Sequence, residues 1–358
     1  MSNPLGHGIV PDAGDHTRRI GAYLSAHLPE AGDLRSCRKL EGGQSNPTYL
    51  LETAHTLCVL RSKPAGRLLK SAHAIDREFQ VLTALQGTDV PVPRPYLYCN
   101  DSSVLGSEFY VMEHVAGRTF WNPAVPEVDQ SQRTRIHDSM NDVLVALARV
   151  NLRSVGLMEY GRREGFFERQ VRRWTEQYRA AETSRRDHME ALIDWLPGNV
   201  PVDDGRASLM HGDFRLDNLL IDDRGQVAAV LDWELSTIGH PLCDLAYQCA
   251  QWRLPAGRMR GLDGIDREAI GIPSEARYVQ RFCERIGMTQ ASGWTFLLVL
   301  SLFRLASICQ GIYRRGLDGN ASSANALDFD ERTTVIAAHA VAIVDAVASD
   351  DPTLRIGP

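Results

Sequence analysis

The chain has 358 residues, 44% of them hydrophobic and 23% charged, a composition typical of a globular protein with one large or two moderate domains. The net charge of −6 argues against nonspecific nucleic-acid binding, and the apolar stretches look shorter than the roughly 20 residues that a membrane span needs. The seven cysteines form no C-x-x-C pair, so we expect free thiols. No signal-peptide pattern is visible at the start, so we expect a cytoplasmic location. With the charge and the apolar stretches, this leads us to expect neither nucleic acid nor membrane as a partner.

The first part of the chain is predicted to be rich in β-strands. Residues 1–13 are expected to form a flexible tail, and 17–28 a helix. Runs of β-favouring residues predict three strands, at 36–40, 48–52 and 56–61. The turn between the first two strands contains residues that can offer polar groups to phosphates, namely Gly42, Gly43, Ser45 and Asn46. Taken alone these residues are a weak signal, because Gly-Gly turns are common, and they favour a plain hairpin turn.

A predicted helix at 71–86 follows the third strand. Its apolar residues recur at helical spacing and form one face, consisting of Ile75, Phe79, Leu82 and Leu85. Glu78 lies off the centre of this face, so it is either a solvated charge or a partner for Arg61 at the end of the third strand. In the second case, the pair would position a cation for nucleotide phosphates.

The chain changes character near Gly117. Two more strands are predicted before it, at 96–99 and 108–115. Beyond it the pattern is mostly helical, with helices predicted at 130–150, 165–181, 186–196, 241–252, 274–286, 292–313 and 328–348. The sequence therefore predicts a small lobe at 14–116 and a larger one at 117–358, with a ligand between them.

The segment from His211 to Asp232 carries the strongest chemical signal. It reads H-x-D-x-x-x-x-N, then a short strand, a turn, a second strand and Asp232. Asp213, Asn218 and Asp232 can converge at the end of such a hairpin. Phosphoryl transfer uses this grouping, since one carboxylate orients the acceptor hydroxyl while an amide oxygen and a second carboxylate hold magnesium. The spacing is that of the kinase catalytic loop H-R-D-x-x-x-x-N, with Gly212 in place of arginine.

Together these motifs resemble the aminoglycoside phosphotransferase/choline kinase family, and most closely the kinase-like domain fused to some acyl-CoA dehydrogenases. The matching segments are 40–51 (LEGGQSNPTYLL), 59–69 (VLRSKPAGRLL), 71–82 (SAHAIDREFQVL), 211–219 (HGDFRLDNL), 231–247 (LDWELSTIGHPLCDLAY) and 310–322 (QGIYRRGLDGNAS). The resemblance covers about 35–345 and implies an α+β, protein-kinase-like fold of two lobes. The N-lobe would hold a small antiparallel sheet with one main helix, and the C-lobe would be larger and mostly helical.

The resemblance implies a role for each residue of the motif in the second lobe. Asp213 is similar to the catalytic aspartate, and Asn218 and Asp232 are similar to the magnesium ligands. His211 and Asp244 look like braces that hold the catalytic loop by hydrogen bonds.

In the first lobe the resemblance implies a nucleotide-binding role for Gly42, Gly43, Ser45, Asn46, Arg61, Glu78, Glu113 and Val115. Glu113 and Val115 fall where the main chain meets adenine. The chain departs from the wider pattern in its short glycine loop and in Arg61, which stands where lysine is usual; Lys63 and Lys70 are alternatives. Asp-Trp-Glu at 232–234 replaces Asp-Phe-Gly, which disfavours a mobile regulatory switch.

The implied function is transfer of the γ-phosphate of ATP, with Mg²⁺, to a hydroxyl of a small molecule. A hydroxyacyl-CoA-like metabolite is the leading acceptor. Basic residues that either meet CoA phosphates or simply cover a solvated surface are Arg118, Arg162, Arg163, Arg172, Arg173, Arg314 and Arg315. The alternatives are an antibiotic kinase, whose cationic acceptor needs a carboxylate-lined site, and a nucleotide-binding pseudokinase. A protein kinase is disfavoured because no A-P-E pattern follows Asp232.

Overall fold

A computed structural model of the chain describes residues 13–40, 46–64, 75–321 and 325–348. Within these residues the chain forms two compact units. The first unit ends at Val115 and the second continues from Ala116, but residues 84–92 also belong to the second unit. The sequence predicts only a connector near 90–95, so this early excursion into the second unit is a finding of the structure.

The first unit contains a five-stranded antiparallel sheet in the order β1-β2-β3-β5-β4. Its strands are β1 (Leu34–Lys39), β2 (Thr48–Thr53), β3 (Leu57–Ser62), β4 (Pro95–Cys99) and β5 (Phe109–Glu113). The predicted small antiparallel sheet is therefore confirmed. A turn of three residues, 54–56, joins the antiparallel strands β2 and β3, as the hairpin signals in the sequence favour.

Three helices accompany this sheet, namely α1 (Ala13–His27), α2 (Ile75–Ala84) and the single-turn α3 (Ser102–Leu105). Ala13 belongs to α1, and the rest of the predicted tail lies outside the described residues, as do 71–74 of the second predicted helix. Ile20 and Leu24 of α1 pack with Leu51, Leu60 and Phe109 of the sheet to form the core of this unit. The helix predicted at 17–28 is thus present as α1, which begins four residues earlier and covers the sheet.

The second unit is built around helices at α4 (Gln130–Arg149), α5 (Phe166–Ala181), α6 (Asp187–Gly198), α7 (Leu242–Trp252), α8 (Glu275–Arg285), α9 (Trp294–Leu317) and α10 (Phe329–Ala348). Helix α9 packs against α5, α7 and α10. Among the described residues it alone is long and apolar enough to cross a membrane, although 67% of its most apolar window is buried within the protein, as in a core helix. The helix begins two residues later and ends four residues later than the predicted 292–313.

Two pairs of short strands are associated with the His211–Asp232 segment, one pair within it and one with a strand on either side of it. Strands β7 (Leu219–Ile221) and β8 (Val227–Val230) form the predicted hairpin. Strand β6 (Ser208–Met210) pairs with β9 (Thr237–Gly239), which the sequence does not predict. A strand of three residues with a distant partner leaves no periodic signal.

Helix α4 buries a histidine without a hydrogen-bond partner. His137 is 1% exposed, its ring packs against Trp252, and neither ring nitrogen has a partner among the described residues. Burial, helped by the positive charge of Arg133, lowers the pKa of His137 to about 3. In the unfolded chain the His137 ring takes up a proton below about pH 6.5, whereas in the fold it stays neutral down to about pH 3. The stability that is present above pH 6.5 is therefore lost as the pH falls toward 3.

We therefore expect His137→Phe to reduce the loss of stability in acid. The wild-type imidazole alone should cost about 2 kcal/mol of unfolding free energy between pH 7 and pH 5, a cost that phenylalanine removes. Urea denaturation at the two pH values measures the difference. His188→Gln, at an exposed position of α6, is the control and should leave the pH dependence unchanged. An equal acid loss in His137→Phe and wild type would contradict this assignment.

Candidate active site

The loop between β6 and β7 is held in place by the carboxylate of Asp244. Asp244, in the first turn of α7, accepts the backbone N–H of His211 at 2.6 Å and that of Gly212 at 2.9 Å. His211 Nε2 lies 2.8 Å from the carbonyl oxygen of Leu231, and its Nδ1 accepts the backbone N–H of Asp213 at 3.1 Å. Both residues therefore act as the braces that the sequence predicts.

Gly212 is required by a close approach of two backbones. Its φ is +83°, and a Cβ atom built there would lie 2.3 Å from the carbonyl oxygen of Leu235. A side chain at this position would displace the segment that follows Asp232. The glycine that replaces the kinase arginine is thus a structural feature of the loop.

We expect Gly212→Ala to destabilise the protein by at least about 2 kcal/mol, since it combines left-handed strain with a backbone clash. Gly205→Ala is a matched control. Gly205 also has a positive φ, +75°, but a Cβ added there would meet no atom of the described residues within 4 Å, its chain neighbours aside. Thermal denaturation of both variants separates the two contributions. Equal losses in melting temperature would mean that the approach to Leu235 contributes nothing.

Asp213 lies at the centre of the site and is half-buried. Its Oδ1 accepts the Tyr247 hydroxyl at 2.8 Å and its Oδ2 accepts the Asn218 amide at 2.9 Å, while Arg215 Nε lies 3.1 Å from Oδ1. Burial opposes ionisation, yet the charges of Arg215 and Arg304 and the Tyr247 hydrogen bond outweigh it, so the pKa of Asp213 lies below its ordinary value. The carboxylate is therefore ionised at neutral pH.

Asn218 and Asp232 are brought together by the β7–β8 hairpin. The backbone N–H of Leu231 donates to the carbonyl of Asn218 at 2.9 Å, directly beyond the paired strands. The Asn218 amide nitrogen donates to both the main-chain oxygen and the carboxylate of Asp213, each at 2.9 Å, so the amide oxygen is the atom that could bind a metal. An amide oxygen and a carboxylate are hard ligands of the kind that Mg²⁺ prefers.

Asp232 has an unusual backbone conformation. Its φ of +65° and ψ of 64° lie in the left-handed region, which a non-glycine residue occupies at a cost. Its neighbour Trp233 is 1% exposed and donates its indole N–H to the carbonyl of Val230 at 3.0 Å. The segment after Asp232 is thus anchored by a buried ring. Among the described residues no cluster of three or more His, Cys, Asp or Glu suits a metal. The pair of Asn218 with Asp232 contains an amide and only one carboxylate, so it is not a cluster of that type.

Three residues that the sequence analysis did not place in the site also surround Asp213, namely Tyr247, Arg215 and Arg304. Burial and the charge of Asp213 raise the pKa of Tyr247, so its hydroxyl stays protonated and donates. Tyr247 lies three residues after Asp244 on the same helix, and this spacing is the signal that could have found it.

Arg304 reaches the catalytic loop from α9. It donates to the carbonyl of Gly212, and its guanidinium lies 5.2 Å from the centre of the Trp174 ring and 5.0 Å from that of Tyr247. A single cation within an apolar helix was its only sequence signal. Because it adds positive charge beside Asp213, it helps to keep that carboxylate ionised.

The predicted nucleotide-binding residues of the first unit are partly described. Arg61 and Glu78 form an ion pair with 3.2 Å between Nη2 and Oε1, and Tyr110 donates its hydroxyl to Glu78 at 3.1 Å. Asn46 is buried and its carbonyl accepts the Thr48 hydroxyl. The alternative cation Lys63 instead pairs with Glu108 at 2.6 Å.

The remaining predictions for the first unit divide into two groups. Glu113 ends β5, where it exchanges backbone and side-chain hydrogen bonds with Arg94, and Val115 follows two residues later. Their main-chain contacts with adenine stay a prediction. Those that lie outside the described residues are Gly42, Gly43, Ser45 and the alternative Lys70.

Comparison with known proteins places this site in a family. The model of the phosphotransferase enzyme family (APH) matches residues 36–283. Mouse acyl-CoA dehydrogenase family member 10 is 45% identical over 291 residues, 80% of this chain and 27% of that protein. Human acyl-CoA dehydrogenase family member 11 is 41% identical over 327 residues, 90% of this chain and 42% of that protein. The chain therefore spans less than half the length of these relatives.

Solved structures agree with the family match. A protein from Ralstonia eutropha JMP134, described as a candidate aminoglycoside phosphotransferase, is 42% identical with a TM-score of 0.84, over 92% of this chain and 98% of that one. The phosphotransferase APH(4)-Ia, solved with ADP and hygromycin B, is 15% identical with a TM-score of 0.60, over 91% of this chain and 98% of that one, and shares the fold alone. The predicted protein-kinase-like α+β fold is confirmed. The chain belongs to the phosphotransferase enzyme family.

Proposed function

We propose that the enzyme transfers the γ-phosphate of ATP, with Mg²⁺, to a hydroxyl group of a small molecule through Asp213. The observation that carries this proposal is the position of the Asp213 carboxylate, which accepts the Asn218 amide at 2.9 Å, at the end of the hairpin that also presents Asp232. A catalytic-loop carboxylate and two oxygen ligands for the metal are the parts that phosphoryl transfer requires. Their joint presence disfavours a pseudokinase.

Asp213 orients the acceptor hydroxyl and takes its proton late in the reaction. Its lowered pKa makes it a weak base. Phosphoryl transfer passes through a loose transition state, in which positioning matters more than early proton removal. The hydrogen bonds from Tyr247 and Asn218 fix the direction of the carboxylate and so supply that positioning.

Asn218 and Asp232 are the residues that would hold Mg²⁺. The ion, when bound, neutralises charge on the transferring phosphoryl group. Asn218 also fixes Asp213 through its amide nitrogen, so one side chain links the metal ligand set to the catalytic carboxylate. We assign phosphate contacts to Arg61, which Glu78 holds in place, and to the turn that the sequence predicts at Gly42, Gly43, Ser45 and Asn46.

We propose a hydroxyacyl-CoA-like metabolite as the leading acceptor. The names of the relatives that are 41–45% identical, acyl-CoA dehydrogenase family members 10 and 11, support a link to acyl-CoA chemistry. A polycationic antibiotic would instead meet the positive charges of Arg215 and Arg304 beside Asp213, which disfavours it as the acceptor. The antibiotic-bound neighbour is only 15% identical and supports the fold alone.

A screen for ATP-dependent phosphate incorporation tests this function. Hydroxylated acyl-CoAs, sugars, amino alcohols and aminoglycosides are each incubated with enzyme, Mg²⁺ and labelled ATP. Incorporation into a hydroxyacyl-CoA, dependent on Mg²⁺, is expected. Preferential labelling of an aminoglycoside would overturn the acceptor, and nucleotide binding without transfer to any hydroxyl would overturn the function.

A further inference from the structure

A pocket with a volume of about 340 Å³ lies on the outer surface of α5. Four of the residues that line it are arginines, namely Arg162, Arg169, Arg172 and Arg173, and one is an acid, Glu176. The helical spacing of 169, 172, 173 and 176 puts these side chains on one face of α5. Arg162 joins them from the preceding loop, where its carbonyl accepts Arg169 at 2.5 Å.

The charge in this pocket is unbalanced. Among the residues that the structure describes, none of the four arginines forms an ion pair within 4.0 Å, whereas Arg179, further along α5, lies 2.5 Å from Glu190. Burial and the proximity of Arg162 lower the pKa of Arg169, although Glu164 and Glu168 offset part of this effect. Burial and Arg304 likewise lower the pKa of Arg173. A bound anion would relieve this mutual repulsion of cations.

The pocket adjoins the catalytic loop. Thr237 forms part of its wall and pairs in register with Met210, the residue directly before His211. Arg304 connects the two sites on the other side, since it contacts both Gly212 and Trp174, the neighbour of Arg173 on α5. A molecule anchored in the pocket therefore lies beside the loop that carries Asp213.

We propose that this pocket binds a phosphate-bearing part of the acceptor while the hydroxyl of the same molecule reaches Asp213. The proposal rests on the proposed kinase function and narrows the acceptor to a polyanion. Guanidinium groups bind phosphate through paired N–H donors, and several on one helix face suit a group with more than one phosphate. The pocket volume lies within the range of small-molecule sites.

Binding of defined probes to the full chain tests this site. Coenzyme A, dephospho-coenzyme A and pantetheine carry progressively fewer phosphates, and titration calorimetry at two salt concentrations gives their Kd values. We expect coenzyme A to bind most tightly and pantetheine at least about tenfold more weakly, with a salt dependence only for the phosphate-bearing probes. Equal affinity for all three would overturn the proposal.

Arg172→Glu is the variant of choice because Arg172 is exposed and its replacement leaves the core intact. We expect it to weaken coenzyme A at least about tenfold, whereas Arg185→Glu, the same change at an exposed arginine between α5 and α6, stays within about twofold. A loss of ATP affinity equal to that of coenzyme A would assign the pocket to the nucleotide and overturn the proposal.

The two proposals fail in different ways. If coenzyme A binding is insensitive to Arg172→Glu while transfer to a hydroxyl still occurs, the pocket assignment is wrong and the kinase function stands. If no acceptor is labelled but coenzyme A still binds through Arg172, the anion site stands as a binding site and the acceptor role is overturned with the kinase function.

Discussion

Replacing Asp213 by asparagine is expected to lower kcat by about 10²–10⁴-fold, the usual contribution of a positioned acid–base group. The amide is almost isosteric and its oxygen can still accept the Asn218 hydrogen bond that the wild-type carboxylate accepts at 2.9 Å. The variant lacks the negative charge that orients the acceptor hydroxyl. Nucleotide binding should persist, because Asp213 is not among the proposed metal ligands.

Steady-state kinetics with the acceptor from the screen, together with ATP calorimetry, measure this prediction. Asp223→Asn is the matched control, since Asp223 is exposed in the β7–β8 turn and carries the same carboxylate. The control should retain wild-type turnover. Full activity in Asp213→Asn would remove Asp213 from the mechanism, and a parallel collapse of ATP affinity would show that its role is to hold the loop.

The parts of the site that the sequence predicts are those set by short-range geometry. His211, Asp213 and Asn218 share one loop, and the hairpin that follows fixes where Asp232 lies. The ion pair of Arg61 with Glu78 was one of two open interpretations, and the structure places the two side chains 3.2 Å apart. Local spacing and strand pairing are enough for these residues, because the chain between them has regular structure.

The parts that the sequence does not predict depend on distant segments. Arg304 is about ninety residues beyond Gly212, and its contact with the Gly212 carbonyl depends on how α9 packs. Strand β9 is a similar case, since it forms only by pairing with β6. The same holds for residues 84–92, which belong to the second unit because of their contacts there. Arginines at the surface of a helix are common, so only the structure distinguishes the α5 pocket from a solvated face.

The arginines near Asp213 differ from those of the α5 pocket because they are paired with carboxylates. Arg215 lies 3.1 Å from Asp213 and 3.3 Å from Asp217, so its charge is shared between two carboxylates. Arg260 lies 3.4 Å from Asp217 as well. The site is thus a network of alternating charges in which Asp213 stays ionised despite its burial. The arginines that line the α5 pocket lie outside this network, which is why we assign them to a ligand.

Asp232 has two properties that one substitution can separate. Its carboxylate is a proposed metal ligand, and its backbone is left-handed, with a φ of +65°. Alanine would remove the carboxylate and retain the left-handed strain of a residue with a Cβ atom, roughly 1–2 kcal/mol at this φ. Glycine removes the carboxylate and favours the same backbone conformation, so a loss of nucleotide binding in Asp232→Gly is not caused by backbone strain.

We therefore expect Asp232→Gly to weaken ATP binding in the presence of Mg²⁺ by at least about tenfold to a hundredfold, as loss of groups around a metal site does. Binding without Mg²⁺ and the melting temperature should change little, because glycine relieves the left-handed strain. Calorimetry with and without Mg²⁺ measures the effect, with Asp223→Gly as the exposed control on the same hairpin. An Asp232→Gly enzyme whose ATP affinity still rises with Mg²⁺ as in wild type would show that the metal is held by other residues, and the proposed pairing of Asn218 with Asp232 would then be wrong.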